Sequence, residues 1–262
     1  MPLLIFFTAV LGVSYLLAKA EVFAGFNVSK AQLDKIHLFY TNYFSYYNLL
    51  DARGKRRFLL RVTNIRKTKE LHISKEIKNT SEEVELLVCA AFAQITFGYE
   101  EYEIESFQQI IVNPGEFYSR LANHQVKGLT LGSGYIYLSW DDFLKGYISP
   151  SDKINLALHE LAHALYIDRF HYDEHYDWIL WKEQALAILK ELRDNPDKQF
   201  FREYGKTNAY EFWAVCVETF FEDPISFRSL YPDLYRSTAR VLKQDMALRI
   251  MPEEKSEPDF DD

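Results

Sequence analysis

The amino-acid sequence predicts an α+β domain, mostly helical, with a small β-sheet near residues 108–140 and an apolar helix in front of it. Three observations predict this. Two short runs rich in β-branched and aromatic residues, 109–112 and 135–139, are punctuated by Pro114-Gly115 and by Gly132-Ser133-Gly134, residues that bound strands. Long apolar stretches with helix-starting signals flank them. No Pro/Ser/Gly linker and no internal repeat divides residues 21–250, which read as one domain.

The chain opens on residues 1–18 without a charged side chain. About 18 apolar residues is near the lower limit for a membrane-spanning helix. Residues 1–20 are therefore expected to be a single-pass anchor. The rival is a signal peptide cleaved after Ala18-Lys19-Ala20, but no Lys or Arg precedes the apolar run. Lys19, Lys30, Lys35 and a basic run over residues 53–69 follow it. By the positive-inside rule an anchored body would face the cytoplasm. A cleaved chain would instead be periplasmic or secreted.

Residues 31–50 are aromatic-rich and expected to be helical. The basic run (Lys55, Arg56, Arg57, Arg61, Arg66, Lys67) reads as a solvated helix face or as a contact with anionic lipid beside the anchor. A net charge of -8 excludes a nucleic-acid binder working by bulk charge. Thr80-Ser81-Glu82-Glu83 resembles a capping box, opening a buried helix that ends near Gly98. Cys89 and Cys216 both lie in apolar runs and are expected as buried free thiols. Residues 251–262 are acidic and proline-containing, a composition that favours a disordered tail.

Ser149-Pro150-Ser151-Asp152 reads as a helix start, with a cap, a proline and a first-turn acid. The helix continues through Leu158-His159-Glu160-Leu161-Ala162-His163-Ala164-Leu165. His159 and His163, four apart, leave one face of it. Both ring nitrogens can then reach one zinc at about 2.0–2.1 Å, with Glu160 beside the metal as general base. Zinc would lower the pKa of its water to about 7. The motif thus points to one Zn2+ and peptide-bond hydrolysis.

Zinc requires a third protein ligand. The histidine of metzincin proteases is absent, since Tyr166 and Arg169 occupy the relevant positions. Glu183 has thermolysin-like spacing, although Ala187 stands where a further acid often follows. Glu211 is the alternative, and it could equally close a capping box with Asn208. Spacing alone does not choose between Glu183 and Glu211.

The chain around His159, together with Asn208-Ala209-Tyr210-Glu211-Phe212-Trp213-Ala214-Val215, resembles the Mlc titration factor A (MtfA) family of zinc metallopeptidases. So do Ile110-Ile111-Val112-Asn113-Pro114-Gly115, Gly134-Tyr135-Ile136-Tyr137-Leu138-Ser139-Trp140 and Tyr231-Pro232-Asp233-Leu234-Tyr235. The resemblance covers roughly residues 45–245 and extends to the similar catalytic domain of anthrax lethal factor. It implies a zincin-like fold, Glu211 as third ligand, and Tyr204, seven residues earlier, as hydrogen-bond donor to the oxyanion. From the residues alone Tyr204 could also be one more packed aromatic. The chain departs from enterobacterial members at its apolar N-terminus and at Ala164-Leu165-Tyr166, where Lys-Leu-Asp often stands. The resemblance therefore names no regulatory protein partner.

Glu218, two turns beyond Glu211, either orients a ligand histidine or is a surface charge. His171 and His175 fit a polar loop better than a second metal face; His37, His72 and His124 have no spaced partner. A peptide or protein substrate is expected, and an extended peptide would pair with an edge strand beside the zinc helix, for which residues 135–139 are the candidate. The alternative function is a zinc-containing regulatory or partner-binding protein of the same fold. The intact Glu160 favours the peptidase, because binding alone needs no base.

Overall fold

In the computed structural model, residues 29–149, 152–170, 175–195, 197 and 199–250 are described. The expected anchor at 1–20, the tail at 251–262 and His171 lie outside them. Among the described residues no helix is long and apolar enough to cross a membrane.

The first helices, α1 (Lys30–Tyr43), α2 (Ser45–Asn48) and α3 (Ala52–Thr68), carry the aromatic segment and the basic run. A capping box of Ser29 and Gln32 starts α1, and the Asp51 carboxylate accepts from Gly54 N–H at 2.6 Å to start α3. After β1 (Glu70–Ile73), the predicted box of Thr80 and Glu83 opens α4 (Ser81–Ile95), with both reciprocal bonds formed. Eleven of its residues are buried, Cys89 among them, and it packs against α3.

The strands follow as β2 (Gln109–Asn113), β3 (Phe117–Ser119), β4 (His124–Val126), β5 (Gly128–Leu131) and β6 (Tyr135–Ser139). β3 and β4 form a separate antiparallel hairpin. The main sheet has the order β1-β2-β6-β5, with β5 antiparallel to β6 and the other pairs parallel. Strand alternation buries Ile110, Val112, Ile136 and Leu138 in the core.

Two strand expectations change. The sheet reaches back to β1, outside residues 108–140. Residues 135–139 do form a strand, but β6 is central, between β2 and β5, so it cannot offer an edge to a peptide. Its Gly-Ser-Gly entry is instead the turn of a β5–β6 hairpin, closed by Gly134 N–H donating to Leu131 O at 2.9 Å. Gly134 has φ +95°, which only glycine adopts readily. The edge strands are β1 and β5, and of these it is β5 that packs against the helix carrying His159.

The second half is helical: α5 (Trp140–Ile148), α6 (Leu156–Arg169), α7 (Tyr176–Asp194), a 3-10 turn (Glu203–Lys206), α8 (Ala209–Glu222), α9 (Pro224–Leu230), α10 (Pro232–Leu242) and α11 (Met246–Ile250). The expected helix start at Ser149 is corrected. Ser149 caps the end of α5, and α6 begins at Leu156, where Asn155 Oδ1 accepts from Leu158 N–H at 3.1 Å. Lys153 has φ +62°, a left-handed conformation that ends any helical run begun before it. α6 packs against β5, β6 and α8.

The basic run is divided between surface and interior: Arg53, Arg56, Arg57 and Lys67 are exposed, whereas Arg61 and Lys69 are buried. Arg61 is only 6% exposed. Its guanidinium donates to Thr96 O at 3.1 Å, to Phe97 O at 2.9 Å and to Tyr99 O, which closes the end of α4. Lys69 is buried against Ile104 O at 2.6 Å, and Arg66 pairs with Glu85 at 2.8 Å. Arg61→Met keeps an apolar stem but strips three carbonyls of their donor. Urea unfolding is expected to show a loss of about 3 kcal/mol, against a change within about 0.5 kcal/mol for the exposed Arg53→Met. Equal, small effects at both positions would mean that water replaces the guanidinium without cost.

Candidate metal centre

α6 is apolar on nearly every side, and residues 157–165 are all buried, the pattern of a helix inside a domain rather than on its surface. The polar side chains on it therefore need partners. His159 and His163 stand one turn apart with their Nε2 atoms 3.2 Å from each other. The start of α8 faces them. There Asn208 Oδ1 accepts from the N–H groups of Tyr210 and Glu211, at 2.9 and 3.0 Å. With Asn208 capping the helix, the Glu211 side chain is turned to the histidines instead. Its Oε2 lies 3.2 Å from His159 Nε2 and 3.3 Å from His163 Nε2.

These three donors fit a metal. A tetrahedral ion with bonds of about 2.0–2.1 Å separates its ligands by roughly 3.3–3.4 Å, close to all three separations here. Among the described residues, His159, His163 and Glu211 form the one group of metal-ligating side chains whose donor atoms lie within 4.8 Å of one another. Glu183 is exposed on α7 and takes no part.

The electrostatics couple the same side chains to one another. Burial opposes a charged His159 ring, but the carboxylates of Glu211 and Glu218 outweigh it and raise the ring to about 10. Burial likewise works against ionised Glu211, yet the two histidines bring it down to about 2. Glu218 is 1% exposed, so it is no surface charge. It accepts from His159 Nδ1 at 2.7 Å, from Asn155 N–H at 2.7 Å, and from Arg202. Once the ring gives up its Nε2 proton, donation through Nδ1 to Glu218 leaves the Nε2 lone pair directed at the centre. Tyr210 stacks on His163, centroids 3.9 Å apart.

Glu160 is tied on the side of the sheet. Thr130 Oγ1, on β5, lies 2.7 Å from Glu160 Oε2. Gly128, two residues earlier, leaves room for the other oxygen, because a Cβ there would come within 2.4 Å of Oε1. Burial raises the Glu160 carboxyl, while the histidines and Thr130 pull it down. Tyr204, on the 3-10 turn, is 55% exposed with its ring 5.8 Å from that of His159. Burial, then the charges of Glu211 and Glu160, raise its hydroxyl. A cleft of about 600 Å³ opens over His159, Glu160 and Tyr204, walled by β4, Gly128 and Arg202. His124 lines it, whereas His175 is exposed at the start of α7.

Sequence reasoning reached His159, Glu160, His163, Glu211 and Tyr204 and left Glu218 undecided. It missed Asn155, Arg202, Gly128, Thr130 and Tyr210. Of these only Tyr210, beside Glu211, carried a positional signal.

The donor set, beside a buried carboxylate at the floor of a cleft, defines the class: a centre suited to metal-assisted hydrolysis. The sequence profile of a family described as "Glucose-regulated metallo-peptidase M90" matches residues 28–243, and the chain belongs to this MtfA family of metallopeptidases. No curated protein matches the chain.

Behind the centre, one turn beyond Glu218, both carboxyl oxygens of Glu222 are buried without a hydrogen-bond partner. Burial pushes this carboxyl up to about 8; the Asn155 amide offsets part of that, and the charges of Glu218 and Asp152 add to it. The folded chain thus holds a proton that the unfolded chain releases near pH 4.3, the approximate value for a free glutamate. Between those values the folded state binds more protons, so stability falls as pH rises, and the loss is complete above about 8. Glu222→Gln should remove that slope and leave the variant more stable than the parent at pH 8, as read from unfolding midpoints between pH 5 and 8. Parallel profiles for the two proteins would count against this account.

Proposed function

We propose that this chain is a zincin-like, zinc-dependent peptidase in which His159, His163 and Glu211 hold a single Zn2+ and Glu160 is the general base. The observation that carries the reading is the trio of donors spaced 3.2–3.3 Å apart with Glu160 one residue from the first of them. Bound zinc would polarise the scissile carbonyl and acidify a water molecule. Glu160 takes the proton from that water and returns it to the leaving amine. Tyr204 donates a hydrogen bond to the oxyanion as charge develops there. Glu218 keeps His159 in the tautomer that presents Nε2. The open edge of β5, beside α6, supplies main-chain groups for an extended peptide.

Residues 21–250 are proposed as the catalytic domain and residues 1–20 as a single-pass anchor that leaves it on the cytoplasmic side. The uncharged run at 1–18 motivates this. A mature chain found soluble, beginning at Glu21, would instead establish signal cleavage.

Three variants test the ligand set. Glu160→Gln should keep zinc but lose roughly 10²-fold or more in peptide turnover. Glu211→Ala should lose zinc on dialysis, because one of three protein ligands is gone. Glu183→Ala should keep it. Metal stoichiometry with turnover of a peptide panel decides the matter. Zinc lost from Glu183→Ala and kept by Glu211→Ala would return Glu211 to the role of a helix-terminal charge. A zinc-loaded chain that turns over no peptide would favour the partner-binding alternative.

A further inference from the structure

The least expected contact in the cleft is the one between Glu160 and strand β5. A carboxylate has two oxygens and a flexible stem, and a general base works only when one oxygen is held within hydrogen-bond reach of the proton it takes. Neither His159 nor His163 restrains Glu160, because their Nε2 atoms face Glu211. The restraint comes from Thr130, 30 residues away in sequence. Its Oγ1 stands 2.7 Å from Glu160 Oε2 and 3.0 Å from Glu160 O. Its single proton is best spent on the shorter, charge-assisted contact.

Gly128 and Thr130, two apart on the strand, share the face that meets α6. Together they form a notch. Thr130 ties one oxygen, and the other occupies the space that a side chain at position 128 would fill. Gly128 and Glu160 both line the cleft, so the untied oxygen is the one left for chemistry. β5 pairs with β6 on one side only, so the strand that fixes the base is also the strand with a free edge at the cleft.

We propose that Thr130 is a positioning residue for the general base, its hydroxyl locking the Glu160 carboxylate so that Oε1 faces the cleft. This rests on the reading of Glu160 as the base. Thr130 itself touches neither metal nor substrate, and its effect passes through Glu160.

The test uses the zinc-loaded full chain with Thr130→Val, which keeps the shape and loses the hydroxyl, and Thr130→Ser, which restores the hydroxyl. Each is made alone and in the Glu160→Gln background. Thr130→Val should lower kcat about tenfold, the scale of one lost hydrogen bond to a charged group, with KM within about twofold. Thr130→Ser should recover most of it. Zinc content and unfolding midpoint should stay near those of the parent, and the Glu160 carboxyl 13C resonance should move in Val and return in Ser. In the Glu160→Gln background Thr130→Val should cost nothing further, since there is no base left to position. Should Thr130→Val fold poorly, Thr130→Ala against Thr130→Ser gives the same comparison in a smaller side chain. An unchanged kcat in Thr130→Val overturns the proposal, as does an equal loss in the Glu160→Gln background. Full activity in Glu160→Gln alone overturns the base assignment itself, a result distinct from either of those.

Discussion

Burying a carboxylate is costly unless every lone pair facing the interior is met, and Glu218 is met from three directions. Asn155 N–H and His159 Nδ1 each approach at 2.7 Å, and Arg202 closes the third side. These partners belong to different pieces of chain. Asn155 caps α6, His159 lies on its first turn, Arg202 precedes the 3-10 turn that carries Tyr204, and Glu218 is in the middle of α8. One side chain thus fixes where α6 begins, how its first histidine is turned, and where the Tyr204 segment lies. The placement of the three candidate metal ligands follows from it, because Glu211 is two turns back along the same helix.

The surrounding aromatic core makes this arrangement stiff. Trp213, next but one to Glu211, is fully buried and donates from Nε1 to Ala162 O at 2.9 Å. That bond pins α8 to α6 between the two histidines' turns. Trp181 stacks on Trp178 and donates to Thr238 Oγ1 at 3.1 Å, linking α7 to α10 behind the same helix pair. Close-packed rings leave α6 little freedom to slide. Separations of 3.2–3.3 Å among three donors from two helices need such rigidity.

Legibility in the sequence followed the range of the interactions. The His159–His163 pair was readable because one helix sets its geometry, and the Thr80 box and Tyr135–Ser139 were readable for the same local reason. β1 escaped because Glu-Leu-His-Ile is short and only alternately covered. β5 escaped because Gly-Leu-Thr-Leu lacks a strand-like run and opens on glycine. Ser149-Pro150 was a well-formed local start signal that lost to a tertiary one: Asn155, held by Glu218, sets the helix origin, and Lys153 in left-handed conformation breaks the chain before it. Glu211 could not be separated from Glu183 by counting, since only the folding of α8 onto α6 brings one to the histidines and leaves the other on an exposed face. Thr130 was invisible for the strongest version of that reason, a single hydroxyl aimed at a helix 30 residues on.

The same residues explain why the region is electrostatically lopsided. Glu160, Glu211 and Glu218 gather around two imidazoles, with Arg202 as the one guanidinium bonded to that group among the contacts that build it. Without a cation the cluster draws a proton instead: His159 is raised to about 10 and Glu211 lowered to about 2. Farther back, burial is the main reason that Glu222 keeps its proton, and the charge of Glu218 adds to it. An ion bound at this centre would add to stability, since whatever binds the folded chain and not the unfolded one does so. A metal ion held there would supply the positive charge that the carboxylates surround and would replace the proton shared by the His159–Glu211 pair.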